Sequence, residues 1–284
     1  MRLLLALLTA GFAALAQLPP PSLADVQRRI ATYPPDLQVY ALFRYWLSNQ
    51  PPPIQALFDD PKSRPDGLQH YRRNLQNEAL PPAEIARRLA VLAHDPEHWE
   101  IELWNHILTS GSPRISREPN AFLVSAVQNR TPGRALDVGM GQGRNTVWLA
   151  RQGWRTTGFD PAARAVALAS AKAAEARLPL TAVVAKDSNF DMGTAQWDLI
   201  VLTYVDFRHL ATRLTTALAP GGIVVAEYFH QDSPGTTGGY KDNELASLFP
   251  GLRLLHYEDT EAIADFGLDR VRLVRLIAEK RPRP

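Results

Sequence analysis

The sequence predicts an α/β protein: a doubly wound, seven-stranded sheet with an antiparallel edge, preceded by a small all-helical domain. Three observations carry the prediction. From Arg134 onward, short apolar runs that read as buried strands alternate with alanine-rich or amphipathic runs of helical spacing. The last two strand patterns, Leu252–Glu258 and Leu268–Ala278, follow one another with no helix between them, as an edge hairpin does. Before residue 98 the apolar residues instead recur at helical spacing between proline clusters.

Taken in order, the chain opens on a basic leader, Met1-Arg2, and an apolar stretch from Leu3 to Ala16 broken only by Thr9 and Gly11. Ala14-Leu15-Ala16 fits the small-x-small cleavage rule, so residues 1–16 are expected to be a secretory signal, too short to span a bilayer comfortably. Export or a periplasmic location follows, with membrane attachment only if the segment stays uncleaved and a cytoplasmic location if the start is misassigned. The chain has no cysteine, which fits either compartment.

Residues 17–97 read as the helical domain. Ser22 caps a helix through Ile30, and Pro35-Asp36 opens a second whose apolar stripe is Leu37, Tyr40, Ala41, Phe43, Tyr45 and Trp46. Pro51-Pro52-Pro53 ends it. Leu68–Leu80 and Pro82–His94 then form a helical hairpin with Leu75, Leu80, Ile85, Leu89 and Leu92 along its seam. His70, His94 and His98 lack the spacing of metal ligands, and no metal site is expected. Residues 98–133 are aromatic and then loop-like, and 134–284 carry the sheet.

At 284 residues the chain has room for two modest domains. Its 31 basic residues are nearly matched by 29 acidic ones, for a net charge of +2, so no nucleic-acid partner is expected.

The first strand, Ala135–Val138, stops at Gly139-Met-Gly-Gln-Gly143, and a helix begins at Arg144 with Asn145 in its first turn. Glycine tolerates positive φ and lets the backbone lie against a nucleotide. The second strand closes on Asp160, nineteen residues past Gly141, where a carboxylate can accept both hydroxyls of a ribose. Nicotinamide enzymes space their glycines G-x-G-x-x-G and deliver helix N–H groups to a pyrophosphate. Here the spacing is G-x-G-x-G, and Asp137 stands two residues before the first glycine, where it would repel a pyrophosphate but suit a cation.

At these residues the chain resembles the class I S-adenosylmethionine-dependent methyltransferases, whose first motif is an acid followed by G-x-G-x-G. The continuation GRNTVWLARQGW…TGFD looks most like the branch containing the tellurite-resistance methyltransferases, and the resemblance runs from about Arg134 to the C-terminus. It implies a Rossmann-like fold and S-adenosylmethionine as cofactor, held by Asp137, Gly139, Gly141, Gly143, Asn145 and Asp160. In the family an acid at the end of the third strand, here Asp187 after Leu180–Ala185, bonds the adenine amino group; capping of the next turn is its alternative. Trp104-Asn105, Arg117 and Pro119-Asn120 match a segment that folds over the cofactor, although Trp104 could equally staple the helical domain to the sheet.

The fourth strand, Leu199–Val205, ends at Thr203-Tyr204-Val205-Asp206, on the edge where ligands of open sheets collect. A helix Phe207–Leu218, a turn Ala219-Pro-Gly-Gly222 and a strand Ile223–Tyr228 follow, then Phe229-His230-Gln231-Asp232, a loop SPGTTGG and a helix Asp242–Leu248. Tyr204 and His230 are the candidates for positioning a small-molecule acceptor or removing its proton, with Asp206, His209 and Glu227 behind them; a thiolate, selenide or oxyanion would need no base. The expected function is transfer of a methyl group to a small molecule. The alternatives are a binding or scaffold protein that retains the pocket without turnover, and a nicotinamide-dependent oxidoreductase.

Overall fold

The computed structural model describes residues 22–93, 96–112, 114–233 and 238–282, and among these seven helices precede the first strand. The leader expected over residues 1–16 lies outside the described residues, as does His94. Helix α1, Leu23–Ile30, starts at a capping box in which the Ser22 hydroxyl accepts from Asp25 N and the Asp25 carboxylate accepts from Ser22 N. Helices α2 (Pro35–Ser48), α3 (Pro52–Ala56), α4 (Arg64–Asn77), α5 (Pro82–Ala93) and α6 (Pro96–Thr109) follow. They close on a core that includes Leu37, Tyr40, Phe43, Phe58, Tyr71 and Leu103. Among the described residues no helix is long and apolar enough to cross a membrane.

Three local expectations change. The proline cluster at 51–53 ends α2 but also starts α3, with proline in its first turn, because the N–H that proline lacks has no partner there. The stretch after residue 98 is not mainly loop: α6 runs to Thr109, so a boundary at 97/98 cuts its first turn. Helix α7, Ala121–Val127, is also helical, capped by the Asn120 side chain accepting from Leu123 N at 2.9 Å. Its seven residues are too few to show a period, but Phe122, Leu123 and Val127 are buried against the sheet with Ala135, Leu199 and Val225.

The strands are β1 (Arg134–Val138), β2 (Arg155–Asp160), β3 (Leu180–Val184), β4 (Trp197–Thr203), β5 (Leu218–Phe229), β6 (Arg253–Ile263) and β7 (Arg270–Glu279). Their order is β3-β2-β1-β4-β5-β7-β6. The first five are parallel, and β7 is inserted antiparallel between β5 and the edge strand β6. Helices α8 (Arg144–Arg151) and α9 (Ala163–Glu175) connect β1 to β2 and β2 to β3; a 3-10 turn at Arg208–Leu210 leads into α10 (Ala211–Ala217), and α11 is a single turn, Glu244–Ser247. Strand β5 begins five residues earlier than expected, since Leu218 already pairs with Trp197 across a register shift in β4. After β1 the chain proceeds to β2 and β3 on one side, then returns to β4 and β5 on the other. The reversal opens a crevice at the carboxyl ends of β1 and β4, where such sheets hold their ligands.

Candidate functional site

The glycine turn after β1 has a left-handed backbone at all three glycines, with φ of 68° at Gly139, 52° at Gly141 and 78° at Gly143. A residue with a Cβ adopts that region at a cost, which is why the pattern needs glycine. The place that a Cβ would take at each glycine already has a close neighbour. A Cβ at Gly143 would lie 2.7 Å from Ala169 Cβ of α9, one at Gly141 3.3 Å from Leu108 of α6, and one at Gly139 3.4 Å from Val205. The absence of a Cβ lets α6, α9 and Val205 pack on the turn, while Gly139 and Gly141 also border the adjoining cavity.

The N–H groups of the turn are also engaged. Gly139 and Met140 donate to Phe159 O at 3.0 and 3.1 Å, Gly143 donates to Met140 O at 2.9 Å, and Gly141 donates to the Asp160 carboxylate at 2.9 Å. The other Asp160 oxygen accepts from Ala162 N at 2.8 Å, so each carboxylate oxygen keeps a lone pair for a ligand. Asp160 is buried, which raises its pKa. It braces the loop before α9, whose N-cap is Ala162, rather than capping that helix itself.

Asp137 sits beneath the turn. Only 2% exposed, it accepts from Thr146 Oγ1 of α8 at 2.6 Å, and burial pushes its carboxyl up to about 6. It is not among the residues that line the adjoining cavity, so its effect on a ligand is through its field. Asn145, also buried, donates to Thr203 Oγ1 at 2.9 Å and accepts from Asn120 N at 2.9 Å, tying α8 to the end of β4 and to the start of α7.

A cavity of about 550 Å³ occupies the crevice. Gly139, Gly141, Asn145, Asp160, Asp187, Thr203 and Trp104 all border it, with Met140, Phe159 and Phe266 supplying apolar wall. Asp187 lies 2.7 Å from His209 Nε2, at the mouth. Trp104 serves both readings offered for it: it lines the cavity, and it packs with the helical core and edge-on to Phe266. Arg117 is elsewhere. Its guanidinium donates to Gly111 O at 3.3 Å, and it does not border the cavity.

The two candidates for proton chemistry stand in different places, Tyr204 on the cavity wall and His230 away from it. Tyr204 borders the cavity, but its hydroxyl donates to Glu227 Oε1 at 2.7 Å and accepts from Asp265 N at 3.0 Å. Burial, with the Glu227 carboxylate beside it, holds the phenol well above 10. Glu227, 1% exposed, also accepts from Asn120 at 2.7 Å and from Arg275 at 2.5 Å, so the cluster is satisfied within the fold. His230 does not reach the cavity: β5 pairs Phe229 with Leu273 of β7, which carries residue 230 to the antiparallel side of the sheet. There its Nδ1 accepts from Asp232 N at 3.1 Å and its Nε2 lies 3.0 Å from Asp242. The His230, Asp242 and Asp259 atoms lie close enough to suggest a metal, yet the Arg272 guanidinium bonds Asp242, Asp259 and Asp232 and offsets part of their charge.

The structure adds residues that sequence reasoning missed. Arg144 donates to Asp265 at 2.7 Å and Glu118 O at 3.1 Å, and lies over the Phe266 ring. Asp265 and Phe266 come from the connection after β6, more than 100 residues away in sequence, and no local pattern announces them. Arg144, beside Asn145 in the first turn of α8, carried the one available signal.

The sheet order, the glycine turn and the acid at the end of β2 together define a nucleoside-binding domain of the class I S-adenosylmethionine-dependent methyltransferase type. Residues 135–222 match the family described as "Methyltransferase domain", and over that stretch the chain carries a member of this class, whose cofactor is S-adenosylmethionine. Among curated proteins it is 32% identical over 152 residues to hemagglutinin 1 of Eikenella corrodens, covering 49% of this chain and 50% of that one. It is 31% identical over 120 residues to the ribosomal RNA small subunit methyltransferase C of Alcanivorax borkumensis, covering 38% and 36%. The matches thus span half or less of the length of these relatives. Among solved structures, TehB of Haemophilus influenzae shares the fold with a TM-score of 0.50 and 18% identity, over 57% of this chain and 62% of that one.

Proposed function

We propose that the chain is an enzyme that transfers the methyl group of S-adenosylmethionine to a small-molecule acceptor. The observation that carries this reading is the single cavity that gathers the glycine turn, Asp160, Asp187 and Trp104. Its volume, about 550 Å³, suits a nucleoside-sized ligand. Asp160 has lone pairs to accept ribose hydroxyls, Asp187 stands at the strand end for the adenine, and Met140, Phe159 and Trp104 keep water from the apolar surfaces between. When bound, S-adenosylmethionine supplies a methyl carbon activated by a positive sulfur, open to in-line displacement.

The protein's part is to bind, orient and dry the site, which in favourable intramolecular cases is worth up to about 7–11 kcal/mol. Carboxylates on the wall are engaged: Glu100 by Tyr40 and Arg44, Asp206 by Arg208 and Tyr240. With Tyr204 saturated as well, the reading favours an acceptor that arrives already anionic at the attacking atom. A small acceptor is favoured because helices α4 and α6 close the cavity opposite the sheet, with Arg64, Glu100 and Trp104 on that wall, and because the basic and acidic residues nearly balance. A nicotinamide dinucleotide is disfavoured, since the turn's N–H groups at Gly139, Met140, Gly141 and Gly143 have internal acceptors and the negative field of Asp137 beneath the turn opposes a pyrophosphate.

The test is a calorimetric titration with S-adenosylmethionine, S-adenosylhomocysteine and NAD in parallel. Stoichiometric binding of the first two and none of NAD is expected. If neither adenosyl compound binds, the pocket is only an element of the fold and the scaffold reading takes its place.

A further inference from the structure

A second cavity, of about 340 Å³, lies inside the helical bundle among α2, α3, α4 and α6. Its walls are apolar and aromatic, with Phe43, Phe58, Leu68 and Trp99 facing it. Arg64 and Pro96 line this cavity and the cofactor cavity alike, so the two adjoin at those residues.

Two arginines border the space and neither is fully satisfied. Arg44 is 6% exposed; one of its terminal nitrogens lies 3.1 Å from Glu100, but its Nε is buried with no hydrogen-bond partner. The Nε of Arg64 is likewise buried and unpartnered. A buried donor without an acceptor destabilises a fold by about 1–3 kcal/mol, and by more for a charged group. An anion in the cavity would supply an acceptor to both donors. Asp59, the carboxylate that lines the cavity, is exposed at its rim.

We propose that this cavity binds the acceptor as an organic acid with an aromatic body, its carboxylate taken by the free Nε–H groups of Arg44 and Arg64. A guanidinium presents its N–H groups in a plane that matches a carboxylate, and the rings of Phe43, Phe58 and Trp99 suit a flat apolar partner. The cavity has the volume for a bicyclic ring, and Arg64 and Pro96, which line both cavities, put the bound acid next to the cofactor space. The assignment rests on the methyltransferase reading only in naming the acid as the acceptor.

The test uses the full chain and two probes of equal shape, indole-3-acetate and the neutral indole-3-ethanol, titrated calorimetrically, with S-adenosylhomocysteine titrated separately. The acid is expected to bind at least about tenfold more tightly than the alcohol, a difference of about 1.4 kcal/mol, and Arg64→Gln should erase that preference. The Arg64 backbone N–H donates to Asp60 O at 3.2 Å, a bond that glutamine keeps, and its Nε has no acceptor to lose, so the replacement is expected not to lower the melting temperature; the acid-to-alcohol ratio on the unaltered chain decides the matter in any case. Equal binding of the two probes, binding of neither, or an Arg64→Gln variant that keeps the preference would overturn the proposal. Failure of S-adenosylhomocysteine to bind would instead strike the cofactor reading, and the two failures are told apart within one experiment.

Discussion

Replacing Asp137 by Asn should stabilise the protein and weaken its hold on S-adenosylmethionine at the same time. The carboxyl is buried beneath the glycine turn, and burial raises its pKa from 3.8 to about 6. Between those values the folded chain binds more protons than the unfolded one, so unfolding free energy falls as pH rises through the window. At 1.36 kcal/mol for each pH unit, the ionised carboxylate costs the native state about 3 kcal/mol at pH 7 and nothing below 3.8. Asparagine keeps an oxygen to accept from Thr146 Oγ1 and does not ionise. Urea unfolding of both proteins from pH 4 to 8 should therefore show curves that coincide in acid and diverge above it, with Asp137→Asn the more stable by up to about 3 kcal/mol at pH 7. The same substitution removes a negative field beside the crevice, worth about 1–2 kcal/mol to a nearby cation. Affinity for S-adenosylmethionine, with its sulfonium, should fall more than affinity for S-adenosylhomocysteine, whose sulfur is neutral. Parallel pH profiles, or an unchanged ratio of the two affinities, would refute the reasoning about this carboxylate.

Gly143→Ala places a Cβ 2.7 Å from Ala169 Cβ at a φ of 78°, and a loss of about 1–3 kcal/mol in chemical denaturation is expected. Asp160→Ala removes an acceptor for the ribose and the brace for Gly141 N and Ala162 N; calorimetry should show S-adenosylmethionine binding weakened by about 1–3 kcal/mol, and an unchanged Kd would take Asp160 out of the site. Tyr204→Phe strips a hydrogen bond from Glu227 and from Asp265 N, so a stability loss of about 1–3 kcal/mol is expected with no displacement of the pH–rate profile. A profile that moves would restore Tyr204 as a proton-transfer group.

The stretch from Ala135 to Asp160 was legible because its information is local: a strand, three positive-φ positions and an acid at the next strand end lie within 26 consecutive residues. The strand count followed from the alternation of strand and helix patterns, and the edge hairpin from the one place where two strand patterns follow each other without a helix. What the sequence did not disclose is which strand-end side chains turn into the crevice. Tyr204 and His230 both follow carboxyl ends of strands, yet the insertion of β7 beside β5 takes His230 out of reach, and the Tyr204 hydroxyl is turned to Glu227 within the fold. The polar cluster of Asn120, Tyr204, Glu227 and Arg275 draws on four separate segments, so it has no spacing to read. Arg117 fitted a family position in sequence, but the turn at Gly111 holds its side chain away from the cavity.

Helix α6 is shared property. On one side Glu100 receives Tyr40 and Arg44 of α2, and Trp99 Nε1 donates to Val91 O of α5. On the other, Asn105 accepts from Arg164 N, Leu108 covers Gly141, and Trp104 walls the crevice. A chain cut before this helix would leave the bundle without its floor, and one cut after it would leave the glycine turn without its lid. The helical region and the sheet therefore do not trade as independent modules: grafting a different bundle onto this sheet to change what the enzyme accepts would have to carry α6 along, and with it a wall of the cofactor's own room.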